Sequence, residues 1–137
     1  MTSVAIYSIM LHMSTLKELK KLENKRARLL SELQKTESMI RGTYVDAYRK
    51  CGKFNCWCAK EKKGHPIHQI SWTKDGKSRS KAIPKEDIVW VKKMTGNYKK
   101  WRGIRTNLRK LEEEARFIIN WVEEDIIQKT ENLRKYF

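Results

Sequence analysis

Leu16, Leu19, Leu22, Leu29, Leu33 and Ile40 recur at steps of three, four or seven, which places them on one stripe of a helix. Arg26 and Thr36 fall on the same stripe. Ser14 or Thr15 can cap the start, Glu18 can complete a capping box with Thr15, and Gly42 suits a left-handed C-cap. The pattern predicts an amphipathic helix over 14–42, about seven turns long. Downstream, Trp101, Ile104, Leu108, Leu111, Ala115, Ile118 and Val122 step by three and four without a miss. Ile126, Ile127 and Leu133 extend that stripe less regularly. Pro84 can open this second helical segment, with Glu86 and Asp87 in the first turn and a kink at Gly96–Asn97. A narrow apolar stripe needs a mate. The first helix, running antiparallel, or a second copy of the chain can supply it, so a homodimer through the helices is expected.

Between the helices the periodicity changes. Over 43–66 helical spacing is lost, and cysteine, glycine, asparagine and aromatics crowd together. Two strand-length runs then flank Asp75–Gly76, a dipeptide that favours the type I′ turn of a β-hairpin. Trp72, Trp90 and Trp101 are expected to form the core where hairpin meets helix. The first residues are mildly apolar but lack the basic start and cleavage site of a signal peptide. Met13 fits an alternative start, leaving 1–12 as an upstream extension. No run approaches the roughly 20 apolar residues of a membrane span, and a cytoplasmic location is expected.

Charge sharpens this picture. Lys and Arg number 31 against 16 acids, a formal net charge of +15 in 137 residues. Residues 41–110 hold twenty cations and five acids, whereas 111–137 hold four and seven. The excess therefore lies on the middle segment, the footprint of a polyanion-binding face. The mean hydropathy of −0.75 suits exposed helices better than a thick core.

Cys51, Cys56 and Cys58 are the only cysteines, and His65 and His68 follow closely. Three thiolates and one imidazole meet zinc's demand for four N/S donors in a tetrahedron. His65 is the expected fourth ligand, with His68, which enters a strand, as the alternative. An odd cysteine count and the lack of a secretory signal oppose a disulfide framework. Cys56-x-Cys58 lacks the strand-helix setting of redox pairs. The zinc is expected to be structural: Glu61, the nearest acid, sits in a lysine-rich turn, and a catalytic site keeps an open position. Elsewhere no nucleophile, acid/base and pocket converge, and the five acids of 41–110 are scattered. The chain is therefore expected to be no enzyme and to take no small-molecule substrate.

The fold class that emerges is mostly α: two long, coiled-coil-like helices flanking a small zinc knuckle and β-hairpin. Its expected divisions are a disordered extension over 1–13, a helix over 14–42, knuckle and hairpin over 43–84, and a helical segment over 85–137.

The run R-K-C-G-K-F-N-C-W-C-A, then G-H-P and S-W-T-K-D-G-K-S-R-S-K-A-I-P-K, resembles a family of short prokaryotic proteins of unknown function. Its members pair a C-G-K-x-x-C-x-C knuckle and downstream G-H with a strand ending near proline and a long helix. The likeness covers about residues 43–105 and implies Cys51, Cys56, Cys58 and His65 as ligands, favouring His65 over His68. It implies no activity. W-T-K-D-G-K-S-R-S-K is also similar to the basic sheet in the DNA-binding arms of phage-type integrases.

Arg49, Lys50, Lys53, Lys60, Lys62 and Lys63 surround the knuckle, Lys77, Arg79 and Lys81 line the hairpin, and Lys99, Lys100, Arg102 and Arg105 stud the second helix. Interleaved aromatics include Phe54 and Trp57. Cations that contact phosphates, with aromatics that stack on bases, point to nucleic acid, DNA ahead of RNA. No helix-turn-helix or Cys2His2 finger spacing is present. The alternative is an adaptor whose helices recruit a protein partner while zinc shapes the joint.

Overall fold

The computed structural model describes residues 3–134, with side chains from Met13 onward. Two helices and three strands follow in the order α1 (Ser3–Gln34), β1 (Thr43–Arg49), β2 (His65–Lys74), β3 (Lys77–Ala82) and α2 (Ile88–Leu133). They form two compact units: Met1–Lys35 with Gly103–Phe137, and Thr36–Arg102. The expected disorder of 1–13 falls mostly on side chains outside the described residues; the helical backbone itself begins at Ser3.

The expected fold class needs correction. The β part is a three-stranded antiparallel sheet in the order β1-β2-β3, and the helices are not two long coiled-coil flanks. Helix α1 stops at Gln34, eight residues short of Gly42, and its described side chains, 13–34, span 22 residues against the 46 residues of α2. Ser38 and Thr36 compete locally for backbone hydrogen bonds, and a tertiary anchor outbids another helical turn. The Ile40 N–H donates to the Met94 carbonyl (3.2 Å). The Asn97 side chain donates to the Ser38 carbonyl (2.9 Å), and the Ser38 hydroxyl to Met94 Sδ (3.3 Å). Ile40, seven residues after Leu33, is thus half-buried on a segment outside the helix.

Thr43–Arg49 was expected to be irregular, and it is a strand. Its β-branched and aromatic residues fit a pleated surface, and β2 is ten residues long, longer than a hairpin with the six-residue β3 requires. On one side β2 takes β1 as partner over 65–71, with Thr43 opposite Ser71 and Arg49 opposite His65. On the other side it takes β3 over 69–74, with Lys74 opposite Lys77, so 69–71 are flanked by both neighbours. Asp75 (φ 54°) and Gly76 (φ 73°) are both left-handed, as a type I′ turn requires.

Helix α2 begins at Ile88, after a short 3-10 turn over Lys85–Asp87 with Pro84 as its cap. It continues through Gly96–Asn97 as one element. In the unit Thr36–Arg102 its buried residues are Val91, Met94 and Thr95. The Thr95 hydroxyl donates to the Val91 carbonyl (2.8 Å), so no polar group is stranded there. The tryptophan core is a second correction: Trp72 and Trp101 are half-buried and Trp90 is exposed. In the other unit, α1 and the second part of α2 run antiparallel, Leu19 and Leu22 facing Leu111, Ala115 and Ile119 across an open groove. Leu22 and Ile104 are its buried side chains among the described residues.

Candidate metal centre

The site is assembled where β1 ends and β2 begins. Because Arg49 pairs with His65, the chain leaving β1 reaches Cys51 two residues later, beside the first residue of β2. Gly52 then adopts φ +77°, a left-handed conformation that side chains resist, and reverses the chain. The Cys56 N–H donates to the Lys53 carbonyl (3.3 Å) and closes a turn. Cys56 caps a short 3-10 helix, Trp57–Ala59, that carries Cys58. Gly64 completes the frame: a Cβ there would overlap the Arg49 carbonyl and the Lys50 nitrogen. Only glycine lets the returning chain pass so close.

This frame brings three sulfurs and one imidazole nitrogen together, all four donor atoms within 4.8 Å of one another. Cys51 Sγ lies 3.5 Å from Cys58 Sγ, and Cys56 Sγ lies 3.2 Å from His65 Nε2. A tetrahedron with metal–sulfur bonds of about 2.3 Å has edges of about 3.8 Å. The donor set therefore fits a single metal ion, and the four residues could hold one. Cys58 is buried, at 1% exposure, while Cys51 is open to solvent. The Trp57 ring meets the His65 imidazole edge-on, centroids 4.8 Å apart, and so limits the imidazole's rotation.

Electrostatics differ between the sulfurs. A hydrogen bond from the Lys53 backbone, aided by Cys58 and His65, pulls the Cys51 pKa from 9.0 down to about 6, favouring the thiolate that metals need. At Cys58 the Cys51 backbone also favours the thiolate, but burial and the sulfurs of Cys51 and Cys56 together outweigh it and raise the pKa. A cation among these sulfurs relieves that mutual repulsion.

His68 is committed elsewhere. Its Nδ1 lies 2.6 Å from the Tyr44 hydroxyl and 2.8 Å from Asp46 Oδ1, and Tyr44 donates to the same carboxylate oxygen (2.7 Å). Burial, then the Asp46 hydrogen bond and charge, push the Tyr44 pKa up to about 12. The Tyr44 and His68 hydrogen bonds hold the Asp46 carboxyl below its ordinary value. Of the two histidines, His65 alone joins the donor cluster.

A family described as a domain of unknown function (DUF6788) matches residues 19–93, more than half of the chain. The chain belongs to this family. The matched span takes in all four donors, the whole sheet and the first turns of α2. No curated protein and no solved structure matches the chain.

The expected cations fall into groups. Arg49, Lys50, Lys53, Lys60, Lys62 and Lys63 are all exposed around the donor cluster. Lys50 and Lys53 line a hollow of about 540 Å³ with Gly52, Phe54, Cys58 and Ala59; Lys63 lies over the Tyr48 ring at 5.0 Å. Lys77, Arg79 and Lys81 share one face of β3, opposite Lys74, Trp72 and Ile70 on β2. Along β2 that end of the sheet lies about 30 Å from His65. Lys99, Lys100 and Arg102 sit on α2 in the same unit, Arg102 over the Tyr98 ring at 5.7 Å. Arg105 lies further along α2, in the other unit.

Three features are not legible in the sequence: Gly64 as a contact-limited glycine, Trp57 as a brace for His65, and the Tyr44–Asp46–His68 cluster. All depend on the pairing of β1 with β2. Among the described residues no helix is long and apolar enough to cross a membrane.

Proposed function

We propose that this protein is a non-enzymatic nucleic-acid binder, DNA ahead of RNA, built around a structural zinc ion. One observation carries the reading: the unit Thr36–Arg102 holds both the four-donor cluster and seventeen Lys/Arg against six acids. Three thiolates and an imidazole are the soft donor set that selects zinc over oxygen-loving metals. All four tetrahedral positions come from the chain, which leaves none for a substrate, and three thiolates quench Lewis acidity. When bound, zinc would tie the loop 51–58 to the start of β2. The remaining residues do the binding: cations on the knuckle, on the β3 face and on α2 offer charge to phosphates. Three free cysteines among the described residues suit a reducing compartment, in keeping with a cytoplasmic location.

Elemental analysis of protein purified without chelator, with its 260/280 absorbance ratio and a gel shift at low salt, tests both halves. The expected result is one zinc per chain and DNA binding that weakens steeply with salt, as released counterions require. Metal-free protein overturns the zinc half; a chain that shifts neither DNA nor RNA overturns the binding half.

A second reading draws support from the other unit. Phe117 and Trp121, one turn apart on α2 among acids, are exposed at 74% and 42%, and a groove of about 520 Å³ runs between α1 and α2. These surfaces suit a protein partner, including a second copy of the chain. Light scattering that reports a monomer, with no nuclease-resistant partner in pull-down, removes this reading.

A further inference from the structure

Phe54 has the most exposed large apolar side chain among the described residues, at 89%. It occupies a central position of the turn from Lys53 to Cys56, where backbone geometry asks for no aromatic and polar residues prevail. The turn cannot fold the ring away, because Cys51 and Cys56 anchor it on both sides in the donor cluster. Three residues on, Trp57 is half-exposed, its ring braced against His65. Next to Phe54 lies the hollow lined by Lys50 and Lys53, with no acid among its lining residues. Its 540 Å³ is within the range of small-molecule sites and can admit one nucleotide.

A ligand that satisfies these features needs a flat face for Phe54 and negative charge for the two lysines. A nucleobase with its flanking phosphates has both, but in a duplex its faces are hidden by stacking. We propose that the knuckle segment 50–59 is a stacking site for an unpaired base of single-stranded nucleic acid. Phe54 takes the base face, and Lys50 and Lys53 take the adjacent phosphates. This rests on the nucleic-acid reading and adds strand state to it.

The test uses the full-length, metal-loaded protein with two fluorescent probes, an oligothymidylate of about 12 nucleotides and a blunt duplex of the same length. Wild type should prefer the single strand. Phe54→Ala should weaken single-strand binding about fivefold or more, with metal content and duplex binding unchanged, and Phe54→Trp should restore it. The salt slope should survive Phe54→Ala, since the lost contact is uncharged; the double substitution Lys50→Gln, Lys53→Gln should reduce the single-strand slope by about 1.4. Equal affinity for both probes, or a Phe54→Ala protein that binds as wild type or loses its metal, overturns the stacking site and leaves the nucleic-acid reading standing. Failure of wild type to bind either probe at low salt overturns the nucleic-acid reading itself.

Discussion

The two units of this chain reach stability by different routes. Thr36–Arg102 carries seventeen Lys/Arg against six acids; residues 1–35 and 103–137 together carry fourteen against ten. The first unit has a sheet whose outer strand β3 is exposed throughout, and its most deeply buried side chain is Cys58 of the donor cluster, with a small apolar core of Val91 and Met94. Such a unit has little apolar burial to hold its loop 50–64, and a metal bound by the four donors would supply a cross-link as folding energy. The second unit has no such cluster among the described residues. It depends on a helical pair with Leu22 and Ile104 buried and with weakly placed ion pairs such as Arg26–Glu112 at 3.9 Å, an exposed pair of small effect. Charge is thus concentrated where a ligand can offset its repulsion.

The largest expected contrast is in metal dependence. Structural zinc sites contribute about 10–16 kcal/mol of apparent binding energy, so Cys58→Ser should abolish metal retention and disorder the loop 50–64. Helical circular dichroism should fall far less, because α1 and the later part of α2 carry no donor. His68→Ala should keep full metal content. Elemental analysis and backbone amide exchange check both; metal loss in His68→Ala would contradict the ligand assignment.

Glycine substitutions sharpen the same contrast. Gly64→Ala forces a Cβ into the Arg49–Lys50 backbone and should cost about 2–4 kcal/mol in denaturant unfolding. Gly103→Ala, in α2 of the other unit, meets nothing within 4 Å and should stabilise by about 0.5–1 kcal/mol. Next come the cations. Replacing Lys77 and Arg79 with Gln should lower the salt slope of DNA binding by about two, whereas the same change at Lys110 and Arg116 should leave it unaltered. Equal losses from both pairs would erase the charge distinction between the units.

The smallest effect concerns the Tyr44–Asp46–His68 cluster. Tyr44 is raised from 10.0 to about 12, so its contribution is complete below pH 10, declines as pH rises and is gone above about 12. Asp46 has a lowered pKa, so its contribution is present above the ordinary carboxylate value and lost as pH falls through the lowered one. Absorbance titration should show a late-titrating phase that is absent in Tyr44→Phe and shifted back toward 10 in Asp46→Asn. A late phase that persists in Tyr44→Phe would assign it to another tyrosine.

Much of the local structure was legible in the residues. The three thiolate donors Cys51, Cys56 and Cys58 with a nearby histidine, the Asp75–Gly76 turn and the α2 stripe from Trp101 to Val122 all follow from spacing, because each is settled within a few residues or by one helical period. What was misread shares a cause. The end of α1 at Gln34 depends on Ile40 and Ser38 finding Met94 and Asn97, more than fifty residues away. Strand β1 exists because β2 is long enough to accept it. Trp90 is exposed because α2 turns Val91 and Met94 inward instead.

The sequence by itself determined which side chains can bind a metal, where the positive charge lies and the helical stripe of α2, since valence, charge and period are local properties. Only the tertiary structure decided between His65 and His68. The register of β1 on β2 sets Arg49 opposite His65 and Asp46 opposite His68, and a register is settled by side chains that meet across strands, not by neighbours along the chain.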